Sequence, residues 1–175
     1  EIGVRLVGSE MCIRDRDTVI HQFIFKKCSF EELCKADQQL IEKAKEATYR
    51  SYSPYSKFNV GAAALLQNGI IVTGSNQENA AYPSGLCAER TTLFYANSQY
   101  PDQPVTTLAI AARDDKGFLL QPIPPCGACR QVILETQNRF ENKLRILLYG
   151  KNMVYDIASI NDLLPLSFDK DFIIE

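Results

Sequence analysis

Histidine is almost absent from this chain: His21 is the only one in 175 residues. Imidazole is the commonest side-chain ligand for metals, so its scarcity excludes a histidine-built metal site downstream of that position. A basic surplus is missing as well. Lys and Arg number 19 against 21 Asp and Glu, a formal net charge of -2, with both signs mixed along the chain. Proteins that grip a nucleic-acid backbone carry a basic stripe, so the balance argues against a polynucleotide target. No apolar run approaches the length of a membrane span, and no signal-peptide core precedes the folded part. Cysteine, at six, is too sparse for the disulfide framework of a small secreted domain. Three of the six, Cys87, Cys126 and Cys129, fall in one motif, and Cys12, Cys28 and Cys34 are left as an odd remainder. A reducing, cytoplasmic setting is expected.

Apolar residues are plentiful, at 46%, enough for one sizeable core in a chain of this length. Residues 1–16 (EIGVRLVGSEMCIRDR) show neither a helix nor a strand period. The stretch 7–16 resembles translated adapter or assembly sequence, so a non-native or disordered tail is expected there. A single domain is expected over residues 17–175. Within 30–51, Leu33, Ala36, Leu40, Ile41, Ala44 and Ala47 form a helical stripe, and Ser53-Pro54-Tyr55-Ser56 ends it. Two strand-like runs, 60–66 and 70–73, are joined through Asn68-Gly69, a strong hairpin signal. A helix over 88–96, a strand over 105–112 and a helix over 128–136 follow. Strands over 144–148 and 153–156 and a short helix over 160–164 complete the order. The alternation predicts an α/β fold, a three-layer α/β/α sandwich around a mixed five-stranded sheet.

The decisive feature is Cys87-Ala88-Glu89, followed further along by Pro125-Cys126-Gly127-Ala128-Cys129. Structural zinc sites are closed by four Cys or His ligands, whereas catalytic ones keep three and leave a position for water. The pattern resembles that of zinc deaminases, whose known signature is three ligands, a non-ligating Glu and P-C-x-x-C. With no histidine nearby, Cys87 must be the first ligand and the set must be three cysteines. Alone, a C-x-x-C pair also suits a redox site, and a lone buried Cys is usually core filler. Neither accounts for the Cys87-Ala88-Glu89 triplet or the flanking prolines. Both halves of the motif fall where extended chain turns into helix, and a helix N-terminus favours the thiolate. Glu89 is placed to carry protons between water, ring nitrogen and departing ammonia. Zinc with three thiolates carries an excess of negative charge, which Arg90 is placed to offset by donating hydrogen bonds to the sulfurs. Arg130, after Cys129, is placed either to do the same or to sit at the surface.

The segment 52–90 (YSPYSKFNVGAAALLQNGIIVTGSNQENAAYPSGLCAER), with Pro125-Cys126-Gly127-Ala128-Cys129-Arg130-Gln131 and the late Leu163-Leu164-Pro165-Leu166-Ser167-Phe168, resembles the small, homotetrameric cytidine deaminases with three-cysteine zinc sites. The resemblance covers most of the chain from about Phe30 to Phe168. It implies one Zn2+ per chain and hydrolysis of free cytidine and deoxycytidine to the uridines and ammonia. It places Asn76 and Glu78 at the ribose hydroxyls, Phe58 against the pyrimidine ring and Ala88 at the base through its backbone. It also implies a homotetramer whose sites borrow residues from neighbours, with Tyr82 and Phe168 as the aromatics available for substrate contact. Ala81 stands where some relatives have cysteine, which touches no proposed role. Three rivals remain open at this point. They are a blasticidin S deaminase with the same zinc and chemistry, a deaminase of bases in RNA or DNA, and a zinc-stabilised binding module without catalysis. Asn76-Gln77-Glu78-Asn79 with Tyr82-Pro83 favours the nucleoside enzyme over the first, the charge balance opposes the second, and Glu89 opposes the third.

Overall fold

The computed structural model describes residues 20–173, and the segment 1–16 expected as a tail lies outside the described residues. Strands β1 (Lys26–Cys28), β2 (Asn59–Leu66), β3 (Ile71–Ser75), β4 (Val105–Asp114), β5 (Gly117–Phe118), β6 (Arg145–Tyr149) and β7 (Val154–Ile157) share one sheet. Its order is β1-β7-β6-β4-β2-β3, with β5 paired to β4. Helices α1 (Lys35–Ala47), α2 (Ala88–Gln99) and α3 (Gly127–Asn138) cover it. Only β4 and β6 run parallel, as the crossover through α3 requires; the remaining pairs are antiparallel.

Side chains alternate across the sheet with the strand period of two. Ala62, Ala64, Leu108, Ile110, Ile146 and Leu148 face Leu93 and Ala96 of α2 and Ile133 and Leu134 of α3. The intervening Ala63, Ala109, Ala111 and Leu147 face Leu40, Ile41 and Ala44 of α1. The result is the expected α/β/α sandwich, with one helix on one face and two on the other. The hairpin is also as expected: Gly69 takes φ +85, and the Leu66 and Gly69 amides close the turn onto Ile70 and Leu66 carbonyls at 2.9 Å each.

Among the described residues the strand number differs from expectation, seven rather than five. The two extra strands span three and two residues, too short for a readable alternation. β1 (Lys-Lys-Cys) is held by its ladder with β7. β5 is held by Phe118, whose ring meets Tyr49 and Tyr149 edge-on and lies 5.2 Å from the Lys45 ammonium. The first helix is shorter than the 30–51 stripe. Cys34 is its N-cap, and Thr48–Arg50 tightens into a 3-10 turn. The late helix is likewise a 3-10 turn, Ile160–Asp162. Among the described residues, no helix is long and apolar enough to cross a membrane.

Two glycines let the helices approach the sheet. A Cβ on Gly61 would lie 2.1 Å from the Ala44 carbonyl oxygen, so α1 rests directly on β2. A Cβ on Gly74 would lie 2.6 Å from Thr92 Oγ1 and 2.9 Å from Thr92 N, so α2 rests on β3. The second contact sets the height of α2, whose N-terminus carries Cys87. Gly74→Ala is therefore expected to destabilise the protein by about 1–3 kcal/mol, the usual range for overpacking. Urea unfolding measures this, and an unchanged midpoint would contradict the tight α2–β3 contact.

Candidate active site

Cys87 and Cys126 are the N-caps of α2 and α3, with extended backbone (φ -72, ψ 156 and φ -67, ψ 168). Each is delivered by a restrained segment. Leu86 is clamped against Gln77 by two main-chain hydrogen bonds of 2.8 and 2.9 Å. Pro122, Pro124 and Pro125 hold the other approach extended. Cys129 lies one turn into α3 and is buried. The sulfurs of Cys87 and Cys126 are 3.8 Å apart and those of Cys126 and Cys129 3.5 Å. All three lie within 4.8 Å of one another. Zinc–sulfur bonds of about 2.3 Å in a tetrahedron give a sulfur–sulfur edge of about 3.8 Å. The donor set and its spacing fit one zinc ion.

Sulfurs this close share protons. The Cys87 thiol is lowered to about 5, first by the hydrogen bond from Cys129 and then, against its own burial, by Cys126 and the Arg90 guanidinium. Cys129 is pushed far up, because it donates to Cys87 and is buried. One thiolate is stabilised at its neighbour's expense, and full ionisation of the cluster calls for a cation. Glu89, 5% exposed, is raised above the usual carboxylate range by burial and, further, by the Cys87 charge. Although burial opposes its charge, Arg90 is held protonated by the Cys87 thiolate beside it and by the charges of Cys129 and Cys126. Its Nη2 donates to the Gly85 carbonyl at 3.3 Å, while its buried Nε has no hydrogen-bond partner among the described residues.

A cavity of ≈ 540 Å³ opens beside Cys87 and Arg90, lined also by Asn76, Glu78, Tyr82 and Leu86. Three residues expected at substrate, Asn76, Glu78 and Tyr82, thus line it. Phe58, Ala88 and Phe168 do not. Phe58 sits half-buried behind Asn76, and Ala88 is fully buried in the first turn of α2. Phe168 is 60% exposed and stacks on Phe172.

The two polar residues also organise the loop before β2. Asn76 Oδ1 accepts from Val60 N at 2.8 Å and from the Ser51 hydroxyl, while its Nδ2 donates to Phe58 O at 2.9 Å. Glu78 accepts from Tyr55 N at 2.9 Å, Ser56 N at 3.3 Å and the Ser56 hydroxyl. The Ser56 hydroxyl is the main reason that its carboxyl lies below the usual range. Ser51, Tyr55 and Ser56 escape sequence reasoning, since a Ser/Pro turn cluster names no distant partner. Arg130 is used differently from Arg90: its Nε and Nη1 donate to the Pro125 and Leu163 carbonyls at 2.9 and 2.6 Å.

Residues 34–140 match the family model described as the cytidine and deoxycytidylate deaminase zinc-binding region. The chain belongs to this deaminase family. Cytidine deaminase from Sporosarcina psychrophila is 42% identical over 136 residues, 77% of this chain and 92% of that protein. The enzyme of that name from Halalkalibacterium halodurans is 48% identical over 98 residues, 56% of this chain and 70% of its own length. The solved cytidine deaminase from Burkholderia pseudomallei superposes with a TM-score of 0.64 at 39% identity, covering 74% of this chain and 97% of that one. As a family member, the chain is a zinc-dependent hydrolase, and its cysteine cluster is consistent with one Zn2+.

Two outcomes follow for the site. Metal analysis is expected to find about one zinc per chain, and Cys126→Ser with Cys129→Ser to abolish it; full retention would reject this cluster as the site. In zinc-free protein, Cys87 alkylation is expected to rise through about pH 5, where its thiol ionises. Arg90→Gln removes a positive charge from beside the thiolate, so that midpoint moves to higher pH. An unmoved midpoint would show that Arg90 does not act on Cys87.

Proposed function

We propose that this chain hydrolyses cytidine and deoxycytidine to uridine and deoxyuridine with release of ammonia, a step of pyrimidine salvage. The observation that carries the reading is three sulfurs within 4.8 Å of one another, two of them on helix N-caps and one, that of Cys87, at the edge of a cavity, beside a buried carboxyl. Cys87, Cys126 and Cys129 would hold the zinc, one ion per chain. Zinc bound there supplies Lewis acidity that makes water a nucleophile near neutral pH. Glu89 handles the protons. It takes one from the attacking water and hands it to the ring nitrogen, then moves the second from the hydroxyl left on the ring carbon to the amino group, which departs as ammonia when the carbon–nitrogen bond breaks. Burial, which raises its pKa, suits a carboxyl that must both accept and donate. Arg90 offsets the thiolate charge.

Asn76 and Glu78 would meet the ribose hydroxyls from the cavity wall, with Phe58 and the Ala88 backbone nearer the base. Their ties to the preceding loop support that role, because a wall already braced does not have to be ordered by substrate. The deaminase domain would span residues 17–175. Cytoplasmic residence suits three thiols that must stay reduced.

Assembly belongs to the same proposal. Tyr82 is 75% exposed at the cavity mouth, with Tyr55 at 51% edge-on beside it, and Phe168 is 60% exposed. Large aromatics left in water beside a site support cover by another subunit. A homotetramer built on two-fold axes, with Tyr82 and Phe168 completing neighbouring sites, is the form expected.

Incubation with cytidine, followed by the ultraviolet change on conversion to uridine, tests the activity; blasticidin S run alongside tests the nearest rival. Glu89→Gln is expected to keep zinc and fold while losing about 10²–10⁴-fold or more in turnover. A variant within a few-fold of wild type would reassign the proton carrier. Light scattering is expected to give about four chain masses, and a fully active monomer would reject shared sites.

A further inference from the structure

The first turn of α3 faces two ways. Cys126 and Cys129 turn their sulfurs toward Cys87, while the next two residues reach the chain that follows the Ile160–Asp162 turn. Arg130 Nε–H donates to the Pro125 carbonyl at 2.9 Å, and Nη1–H donates to the Leu163 carbonyl at 2.6 Å. Gln131 Nε2–H donates to the Phe168 carbonyl at 2.8 Å. Among the described residues, no carboxylate forms an ion pair with Arg130. Its charge is directed at two main-chain carbonyls.

Those carbonyls belong to different problems. Pro125 immediately precedes the N-cap Cys126, so the orientation of its peptide group decides where the Cys126 sulfur points. Prolines at 122, 124 and 125 remove amide donors from this stretch, and the guanidinium braces it from the side. Leu163 begins the tail that carries Phe168. The main-chain bonds of the tail are local, as from Leu163 and Leu164 to Ile160 and from Phe172 to Asp169. Lys170 reaches Glu141 at 3.6 Å between exposed side chains, a weak tie. A planar, forked guanidinium serves two fixed acceptors at once, and an ammonium does not reproduce that geometry.

We propose that Arg130 is a positioning residue that couples the peptide entering the metal site to the C-terminal tail. Loosening either end then loosens the other, as linkage requires. The proposal rests on the deaminase reading in taking the three sulfurs as the zinc site and the tail as part of the substrate environment.

The test compares zinc-loaded wild type, Arg130→Met and Gln131→Met. Arg130→Met is expected to speed both amide hydrogen exchange over residues 163–172 and zinc transfer to a chromogenic chelator. Each should change by about tenfold, the scale of losing a hydrogen bond from a charged donor. Exchange in the central strands should stay as in wild type. Gln131→Met is expected to speed exchange near Phe168 and leave zinc transfer within about twofold, as for an ordinary surface change. With cytidine, Arg130→Met should raise KM while kcat per bound zinc holds within about twofold. Zinc transfer at the wild-type rate, or a tail as protected as in wild type, would overturn the coupling. A fall in kcat with unchanged KM would overturn the positioning role. If Arg130→Met does not fold, Arg130→Lys carries the same readouts, and wild-type values in both would overturn the proposal. Exchange and zinc transfer do not require turnover, so an inactive wild type would defeat the deaminase reading alone.

Discussion

Three sulfurs held within 4.8 Å of one another cannot all carry charge without compensation, and the structure is arranged around that constraint. Like charges at this separation repel strongly wherever water is partly excluded. Two helix N-termini aim their unpaired amides and positive dipole ends at the cluster, since Cys87 and Cys126 are N-caps. Arg90 adds a full charge against Cys87. The remaining deficit is what a divalent cation would fill. The carboxyl beside the cluster is held high by burial first, with the Cys87 charge adding to it, against smaller lowering contributions from its own backbone amide, Cys129 and Arg90. A permanently ionised Glu89 would add to the negative charge that the site already has to offset.

Holding the two caps in register depends on the packing of the layers. The central strands offer alanine where helices rest: Ala62, Ala63, Ala64, Ala109, Ala111 and Ala112 are all essentially fully buried. Small side chains and the two glycines bring helix axes close to the sheet, so the helix ends are positioned by backbone contact rather than by flexible side chains. Arg145 braces the opposite face by pairing with Asp37 of α1 at 2.9 Å and Asp156 of β7 at 2.8 Å. Its guanidinium is held above its usual range, first by the Asp156 hydrogen bonds. On the face that carries the three sulfurs, polar groups serve the loops. Asn76 and Glu78 tie residues 51–60 to the strand end, so this cavity wall is braced within the chain itself.

Much of this was legible in the residue order. Periodicity located the three long helices and five of the strands, because elements with several turns or ladder pairs repeat their pattern often enough to be read. Elements of two or three residues do not, and β1 and β5 were invisible for that reason. Their positions follow from partners distant in the chain, Val154 for one and Tyr49 and Tyr149 for the other. The cysteine spacing likewise announced the cluster, since residues three apart on a first turn must share a face.

What the residue order by itself determined is therefore the chemistry: which atoms can ligate, which carboxyl stands beside them, and which fold class can present them. Tertiary structure alone decided how those atoms are held. That Arg90 sets its charge beside the sulfurs and donates to one carbonyl, while Arg130 donates to two others, could not be read from two arginines that each follow a motif. Nor could the binding of Glu78 to Ser56, or the absence of Phe58 and Phe168 from the cavity wall of a single chain. Hydrogen bonds between distant segments depend on where the sheet brings their backbones, and that placement is a property of the whole packed core rather than of any local pattern.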